Sequence, residues 1–164
     1  MNTTKIAVMS DSHDNTDNIG KIATIANERE CSYLFHLGDI VTPSTAQKLT
    51  AFKGIVRAVF GNCDAQFSGL KRVFNNFGGE IERPPYSFTL EDKKLTLMHE
   101  PYRLQELIDS GNSDYIFYGH LHKVDTREVG KTMVFNPGDA GGGVRKPSFL
   151  IISLHSGEYE LIEI

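Results

Sequence analysis

Residues 5–40 read KIAVMSDSHDNTDNIGKIATIANERECSYLFHLGDI and show the order of elements that indicates the fold class. Lys5 to Met9 is a short apolar run of good strand formers, which predicts a β-strand. Polar residues follow, and then apolar residues recur at helical spacing: Ile19, Ile22, Ala23 and Ala26. Three suitable N-cap residues stand at the junction: Asp14, Asn15 and Thr16. The stretch therefore predicts a strand, a loop and a helix.

A second unit of the same kind follows along the chain. Tyr33 to Leu37 predicts a strand, Gly38 to Pro43 a loop and Ser44 to Phe52 a helix. Ile55 to Phe60 predicts a third strand. The pattern then becomes less regular from Gln66 to Gly79, where no element is predicted. Strands that alternate with helices usually pair in parallel, so we expect a parallel sheet in the first half of the chain.

The second half of the chain is rich in predicted strands. Tyr86 to Leu90 and Lys94 to His99 flank a short polar turn and predict a hairpin, and Tyr102 to Ile108 predicts a short helix. The remaining predicted strands are Tyr115 to Tyr118, Val124 to Val129, Thr132 to Phe135, Phe149 to Leu154 and Tyr159 to Ile164. These later hairpins require a second, more antiparallel sheet stacked on the first. The sequence thus predicts one domain, residues 1–164, with two stacked sheets and helices outside them.

The composition is that of an ordinary globular domain. The chain has 164 residues, of which 40% are hydrophobic and 23% charged, and this length suffices for a sizeable core without disulfides. The formal charge of -4 disfavours nonspecific nucleic-acid binding, which needs an excess of cations. The sequence shows no apolar stretch long enough for a membrane span and no secretory signal. Its two cysteines, Cys31 and Cys63, form no Cys-x-x-Cys pair, so we expect a cytoplasmic protein.

Polar residues follow three successive predicted strands at the point where each strand ends. Asp11 and His13 follow the first strand, and their i, i+2 spacing places both side chains on one side of an extended backbone. Asp39 ends the second strand and Asn62 the third. The carboxyl ends of neighbouring parallel strands meet at one edge of a sheet, and these side chains are competent ligands for divalent cations. The alternatives are ordinary ones, a helix cap at Asp39 and a turn at Gly61-Asn62.

Histidines follow two further predicted strands. His99 ends the second strand of the hairpin, and His120 and His122 follow the strand Tyr115 to Tyr118. The i, i+2 spacing of the last pair predicts two imidazoles on one side of the chain, which is the strongest single metal signal in the sequence. A structural role is the alternative for His99. For His36, outer hydrogen bonding to the site and structural burial are both open.

Together these motifs resemble those of the calcineurin-like metallophosphoesterases, and they occur in the same order. They are Asp11-Ser12-His13, Gly38-Asp39, Gly61-Asn62-Cys63-Asp64, Met98-His99-Glu100 and Gly119-His120-Leu121-His122. The resemblance covers nearly the whole chain and implies an α/β fold, a four-layer α/β/β/α sandwich of two stacked mixed β-sheets flanked by helices. The length and the Gly-Asn-Cys-Asp variant are similar to those of the small bacterial and archaeal phosphodiesterases. That branch also resembles the metallophosphoesterase-like scaffold subunit of the retromer.

The resemblance implies a dinuclear metal site. One ion would be held by Asp11, His13 and His122, the other by Asn62, His99 and His120, and both by a bridging Asp39. Catalytic roles would fall to Asp39, Asn62, His99 and Asp64. A hydroxide that bridges the metals would attack the phosphorus of a small phosphodiester. Mn²⁺ is the favoured metal, and Ni²⁺, Co²⁺, Fe²⁺ or Zn²⁺ also suits nitrogen and oxygen ligands.

Several residues beside the motifs bear on substrate handling. Asp64 would orient a ligand histidine, and Cys63 stands where many larger relatives have a histidine that assists the leaving oxygen. Leu121 replaces a common threonine, and Asp139 replaces a frequent serine, which could alter the approach of phosphate. Arg145, which follows the loop Gly138 to Gly143, is a candidate for binding the substrate phosphate, with a solvated loop arginine as the alternative.

Two other functions are compatible with the same fold. The metal centre could hydrolyse phosphomonoesters or nucleotides in a differently shaped pocket. The chain could also be a non-catalytic protein-interaction scaffold, although the complete ligand set argues against this. A homo-oligomer is compatible with either function.

Overall fold

Two β-sheets form the middle of the fold in the computed structural model, which describes residues 3–164. The first sheet contains β1 (Lys5–Met9), β2 (Tyr33–His36), β3 (Ile55–Val59), β4 (Glu80–Glu82), β10 (Ser148–Ser153) and β11 (Tyr159–Glu163). Their order across the sheet is β11-β10-β1-β2-β3-β4. The strands β1 to β4 pair in parallel, as the alternation of strands and helices predicts. Met1 and Asn2, which belong to the predicted domain, lie outside the described residues.

The second sheet contains β5 (Tyr86–Leu90), β6 (Lys93–Leu97), β7 (Tyr115–Phe117), β8 (Asp125–Val129) and β9 (Thr132–Asn136). Its order is β5-β6-β7-β9-β8, with parallel pairs in the centre and an antiparallel pair at each edge. Two of its four strand pairs are antiparallel, against two of five in the first sheet, so it is only slightly more antiparallel than the first. The expectation that the last hairpin belongs to the second sheet is wrong. Instead, β10 pairs antiparallel with β1 in the first sheet. Residues 148–152 are all buried, and such a strand suits the interior of a sheet that is covered on both faces.

Helices cover the outer face of each sheet. The first sheet carries α1 (Thr16–Glu28), α2 (Pro43–Ala46) and α3 (Phe67–Phe77), and the second carries α4 (Leu104–Ser110). The layers therefore follow the order helix, sheet, sheet, helix, which confirms the predicted four-layer sandwich. Asn15 is the N-cap of α1, and its side chain accepts the N–H of Asn18. Within residues 3–164, every helix is too short or too polar to cross a lipid bilayer.

Three apolar clusters fill the spaces between the four layers. The side chains of β1 show how the layers divide, because Ala7 and Met9 pack against the helices whereas Ile6 and Val8 face the second sheet. All four side chains are fully buried. Since both faces of the central strands are covered in this way, polar side chains are concentrated where the strands end.

In two segments of the chain, the observed helices differ from the sequence prediction. The stretch from Gln66 to Gly79, for which no element is predicted, contains α3. The signal is nevertheless present in the sequence, because apolar residues recur at helical spacing: Leu70, Val73, Phe74 and Phe77. Gly78 ends the helix in the left-handed conformation. The predicted helix from Ser44 to Phe52 is instead the short α2 followed by a 3₁₀ turn over Gln47–Ala51.

Candidate metal centre

Seven predicted site residues lie at one edge of the sandwich, where the carboxyl ends of five strands meet. They are Asp11 and His13 after β1, Asp39 after β2, Asn62 after β3, His99 after β6, and His120 and His122 after β7. Backbone hydrogen bonds tie these loops to one another. The N–H of Asp11 donates to the C=O of Gly38 at 3.0 Å, and the N–H of Gly119 donates to the C=O of His99 at 3.0 Å. The structure thus brings all seven residues into one site.

Asp39 lies at the centre of this group. Its Oδ2 is 3.4 Å from Nε2 of His13 and 3.3 Å from Nε2 of His99. Its Oδ1 accepts the N–H of Cys63 at 2.8 Å, which fixes the plane of the carboxylate. One carboxylate oxygen therefore stands between two imidazole nitrogens from different loops, as a ligand that bridges two cations would.

Asp11 provides a direct test of whether a cation fits. Its Oδ1 is buried and accepts no hydrogen bond from the part of the chain that the structure describes. This oxygen lies 3.4 Å from Nε2 of His122, 3.7 Å from Nε2 of His13 and 3.9 Å from Nε2 of His99. Ligands about 2.0–2.2 Å from a shared cation lie roughly 3–4 Å from one another. These nitrogen and oxygen atoms are therefore spaced as ligands of a divalent ion.

The tautomer of His99 leads to the same conclusion. The Nδ1 of His99 lies 2.7 Å from the C=O of Leu37, so the ring donates there and turns the lone pair of Nε2 towards the site. That Nε2 lies 2.9 Å from Oδ1 of Asn62, which is also 3.1 Å from Nδ1 of His120. With both rings neutral and their lone pairs turned inward, a cation could bind the two nitrogens and the amide oxygen of Asn62 together.

A model of the calcineurin-like phosphoesterase superfamily domain matches residues 4–157 of this chain. The chain belongs to that superfamily. The resemblance drawn from the five sequence motifs is thereby confirmed.

Individual relatives agree with this family. Phosphodiesterase MJ0936 of Methanocaldococcus jannaschii is 30% identical over 162 residues, which cover 96% of this chain and 98% of the relative. The solved structure of an archaeal phosphodiesterase is 29% identical, covers 98% of this chain and 100% of its own, and superposes with a TM-score of 0.94. The structure of vacuolar protein sorting 29 of Cryptosporidium parvum is 16% identical and superposes with a TM-score of 0.69. The match covers 99% of this chain and 97% of that structure. This last likeness shows the fold alone.

The site loops of this phosphoesterase-family chain are not extended. Five site residues have a positive φ angle: Asp11 (57°), His13 (42°), Asp39 (61°), His120 (69°) and His122 (53°). The expectation that i, i+2 spacing acts through an extended backbone is therefore wrong, although both pairs do converge on the site. A left-handed conformation costs about 1–2 kcal/mol for a residue with a Cβ atom. The surrounding hydrogen bonds must hold these loops in place.

Two glycines allow the loops to approach one another closely. Gly38 has a φ of +103°, and a Cβ atom there would lie 2.7 Å from Nδ1 of His99. A Cβ atom on Gly61 would lie 2.2 Å from Oδ1 of Asp39 and 2.4 Å from its backbone nitrogen. Both motifs, Gly-Asp and Gly-Asn, therefore use the glycine to pack one loop against a site residue of another.

Asp64 holds backbone rather than a histidine. Its carboxylate is buried, and Oδ2 accepts the N–H groups of Asp39 at 2.8 Å and Gly61 at 2.7 Å. Its Oδ1 accepts the N–H of Val41 at 2.7 Å. Asp64 thus positions the loops after β2 and β3. The expectation that it orients a ligand histidine is wrong.

We expect Asp64→Asn to lower the free energy of unfolding by about 2–4 kcal/mol, because hydrogen bonds to a charged acceptor are worth roughly 1.5–3 kcal/mol each. The amide keeps one acceptor oxygen but turns an NH₂ group towards backbone donors. Urea denaturation of the variant and the wild type measures the change. Asp109, whose exposed carboxylate accepts from Gln105, supplies the control, and Asp109→Asn should change stability by less than about 0.5 kcal/mol. Equal stability of Asp64→Asn and wild type would contradict this role.

His36 is a structural residue beneath the site. It is fully buried, and burial lowers the pKa of its imidazole to about 3. The neutral ring accepts the N–H of Gly38 at Nδ1 and contacts the hydroxyl of Ser12 through Nε2 at 2.8 Å. His36 therefore links the loop after β1 to the loop after β2 without facing the metal centre itself.

Asp139 is a site residue whose role the sequence reasoning missed. Its Oδ2 lies 3.3 Å from Nδ1 of His122 and accepts the N–H of Val144 at 2.8 Å. It follows β9, the parallel neighbour of β7, so the rule that polar residues at strand ends converge would have found it. The same Oδ2 accepts the backbone N–H of Arg145 at 3.2 Å. Asp139 thus anchors the loop Gly138 to Gly143 beside His122, while contact of the exposed Arg145 side chain with substrate stays a prediction.

The charges of the site suit metal binding. Burial raises the pKa of Asp39, but the adjacent His99, the N–H of Cys63 and His13 outweigh this effect and bring it to about 2. Asp39 is therefore ionised at neutral pH, as a ligand must be. Burial and the charge of Asp39 raise the pKa of the Cys63 thiol. Its Sγ lies within 4.8 Å of ligand atoms of His13 and Asp39, so a protonated thiol stands at the exposed side of the site.

Proposed function

We propose that residues 1–164 form one metallophosphoesterase domain that hydrolyses phosphodiesters with two divalent metal ions. The observation that carries the proposal is Oδ2 of Asp39 between His13 and His99, beside Oδ1 of Asp11, which accepts no hydrogen bond from residues 3–164. The name of the archaeal relative, a phosphodiesterase, supports the diester over other phosphoesters.

The ligand assignment is the one that the family resemblance implies, and the distances between the ligand atoms support it. One ion would be held by Asp11, His13 and His122, the other by Asn62, His99 and His120, with Asp39 shared. When bound, such ions stabilise negative charge on phosphoryl oxygens and activate water. The residues of the chain hold the ions: Asp39 keeps its charge, and His99 is oriented by Leu37. The mixed nitrogen and oxygen ligands suit Mn²⁺, Ni²⁺, Co²⁺, Fe²⁺ or Zn²⁺, and the family resemblance favours Mn²⁺.

The test is a hydrolysis assay in metal-defined buffer, with bis(p-nitrophenyl) phosphate as diester and p-nitrophenyl phosphate as monoester. Removal of the metal with a chelator should lower the turnover rate by at least about 100-fold. The ligand side chains alone supply no comparable stabilisation of phosphoryl charge. Addition of Mn²⁺ should restore it, with the diester preferred. Full turnover in the stripped protein would contradict metal dependence. A preference for the monoester would favour the nucleotidase alternative, and no turnover with any of the five metals would favour the scaffold.

The composition and the site also suggest a substrate class and a cellular location. We propose a small phosphodiester as substrate and the cytoplasm as location, supported by the two free thiols, Cys31 and Cys63. The acidic balance of the sequence, with a formal charge of -4, gives no reason to expect nonspecific binding of nucleic acid. A homo-oligomer is compatible with this function.

Cys63 should make the rate depend strongly on the leaving group. A thiol is a weak hydrogen-bond donor and carries no imidazolium charge, so it gives little help to a poor leaving group. We expect diesters with leaving groups of graded pKa to show a steep decrease of kcat as that pKa rises. Cys63→His should flatten the dependence, whereas Cys63→Ser, the control, should not. A shallow dependence in the wild type, unchanged by the histidine, would show that the leaving oxygen is protonated by another group.

A further inference from the structure

A cleft of about 170 Å³ adjoins the proposed metal centre. It lies between the ends of β3 and β6 and the segment that connects the two sheets. Flat or apolar side chains form much of its wall: Phe60, Pro84, Pro85, Met98 and Tyr102. His99 belongs to the same wall, and its Nε2 faces Asn62 and Asp39. His99 is therefore the residue that the cleft and the proposed metal centre share.

Tyr102 lies at the rim of the cleft, and its side chain is unusually exposed to solvent for a tyrosine. Its side chain is 84% exposed, so the ring contributes almost nothing to the core. It is held by the 3₁₀ turn Pro101–Arg103, which follows His99 and Glu100 directly. An uncovered aromatic ring on a backbone segment held in a 3₁₀ turn is a suitable platform for stacking another flat ring.

The size and charge of the cleft limit what it can bind. An apolar cavity of about 150 Å³ is enough to hold a benzene molecule, so the cleft of about 170 Å³ accepts one ring. Glu100 lines it, and the guanidinium of Arg103 is already paired with Glu106 at 2.7 Å. These charges favour an uncharged ring over a second phosphate.

We propose that this cleft binds an uncharged aromatic ring carried by one ester group of the substrate, stacked against Tyr102 and Phe60. The proposal rests on the proposed phosphodiesterase function and narrows its substrates to diesters with such a ring, either a simple aryl group or a nucleobase. Ring stacking is equally present before and during bond cleavage, so it strengthens binding and lowers KM with little effect on kcat. The effect is thus separate from the dependence on the leaving group expected from Cys63.

The test measures binding to the Mn²⁺-loaded protein by calorimetry, with methylphosphonate, phenylphosphonate and thymidine 5′-phosphate as probes. Stacking on an aromatic side chain typically changes affinity by about tenfold or more. Wild type and Tyr102→Phe should therefore bind phenylphosphonate about tenfold more tightly than methylphosphonate, and Tyr102→Ala should lose this difference. Methylphosphonate should bind equally to all three proteins, which shows that the metal centre is intact. Tyr159→Ala, which alters an exposed tyrosine on β11, is the control and should behave as wild type.

Thymidine 5′-phosphate separates the two sources of the ring. A loss of its affinity in Tyr102→Ala supports a nucleobase, and a loss confined to phenylphosphonate supports a simple aryl group. Equal binding of phenylphosphonate and methylphosphonate, a ring preference that survives Tyr102→Ala, or no binding of phenylphosphonate would overturn the proposal. Failure of the proposed function would be visible separately, as absence of diester turnover with every metal.

Discussion

Asp39→Asn should lower kcat for bis(p-nitrophenyl) phosphate by about 10³-fold or more, while the protein stays folded. With its oxygen on the N–H of Cys63, the amide would place an NH₂ group at the position of Oδ2, 3.4 Å from His13 and 3.3 Å from His99, and an amide nitrogen cannot replace a carboxylate oxygen as a metal ligand. The fold should survive because the amide oxygen can still accept the N–H of Cys63, now 2.8 Å from Oδ1. Turnover in metal-defined buffer, together with metal content by mass spectrometry, measures the effect.

The matched control for this variant is Asp17→Asn, which removes the same charge from the exposed first turn of α1. Its kcat and its metal content should equal those of the wild type. His120→Ala tests the other proposed ion, and should also remove most turnover without unfolding the domain. Unchanged turnover in Asp39→Asn would refute the bridging role and favour the scaffold alternative.

Gly61→Ala should damage both stability and metal binding. The added Cβ would lie 2.2 Å from Oδ1 of Asp39 and 2.4 Å from its backbone nitrogen, so the loops after β2 and β3 must separate. Overpacking of this kind costs about 1–3 kcal/mol, and occasionally more. Because Asp64 joins the same two loops through the N–H groups of Asp39 and Gly61, the displacement also moves the carboxylate of Asp39. We expect metal affinity to fall by about 10- to 100-fold, as for lost outer hydrogen bonds.

The control is a second glycine-to-alanine substitution, at Gly20, where the added Cβ atom meets no other atom. A Cβ atom at Gly20, inside α1, would meet nothing within 4 Å, and alanine is a better helix former than glycine by about 1 kcal/mol. Gly20→Ala should therefore stabilise the protein and leave its metal affinity unchanged. Urea denaturation and calorimetric metal titration compare the two variants. A Gly61→Ala protein as stable and as tight a metal binder as Gly20→Ala would contradict the role of close loop packing.

Much of the fold and most of the site could be predicted from the sequence, because the signals are local. The apolar run of β1 and the helical spacing in α1 predict their elements at nearly the observed bounds. Polar residues directly after such strands predict a shared site, since parallel strands end at the same edge. For this reason the sequence predicts that Asp11, Asp39 and Asn62 lie together, and in the structure an oxygen of each lies between 2.9 and 3.9 Å from Nε2 of His99.

Only the tertiary structure decided the features that depend on contacts between distant parts of the chain. The sequence of β10 is apolar enough for either sheet, and its pairing with β1, about 145 residues earlier in the chain, places it in the first. The side chain of Asp64 could cap a turn or orient a histidine, and three backbone N–H groups, two of them from the loop after β2, determine its role. The cleft beside Tyr102 forms only when β3, β6 and their connecting segment meet. Local periodicity determines which residues form strands and helices, but the partners of a strand or a polar group are selected by the packing of the whole chain.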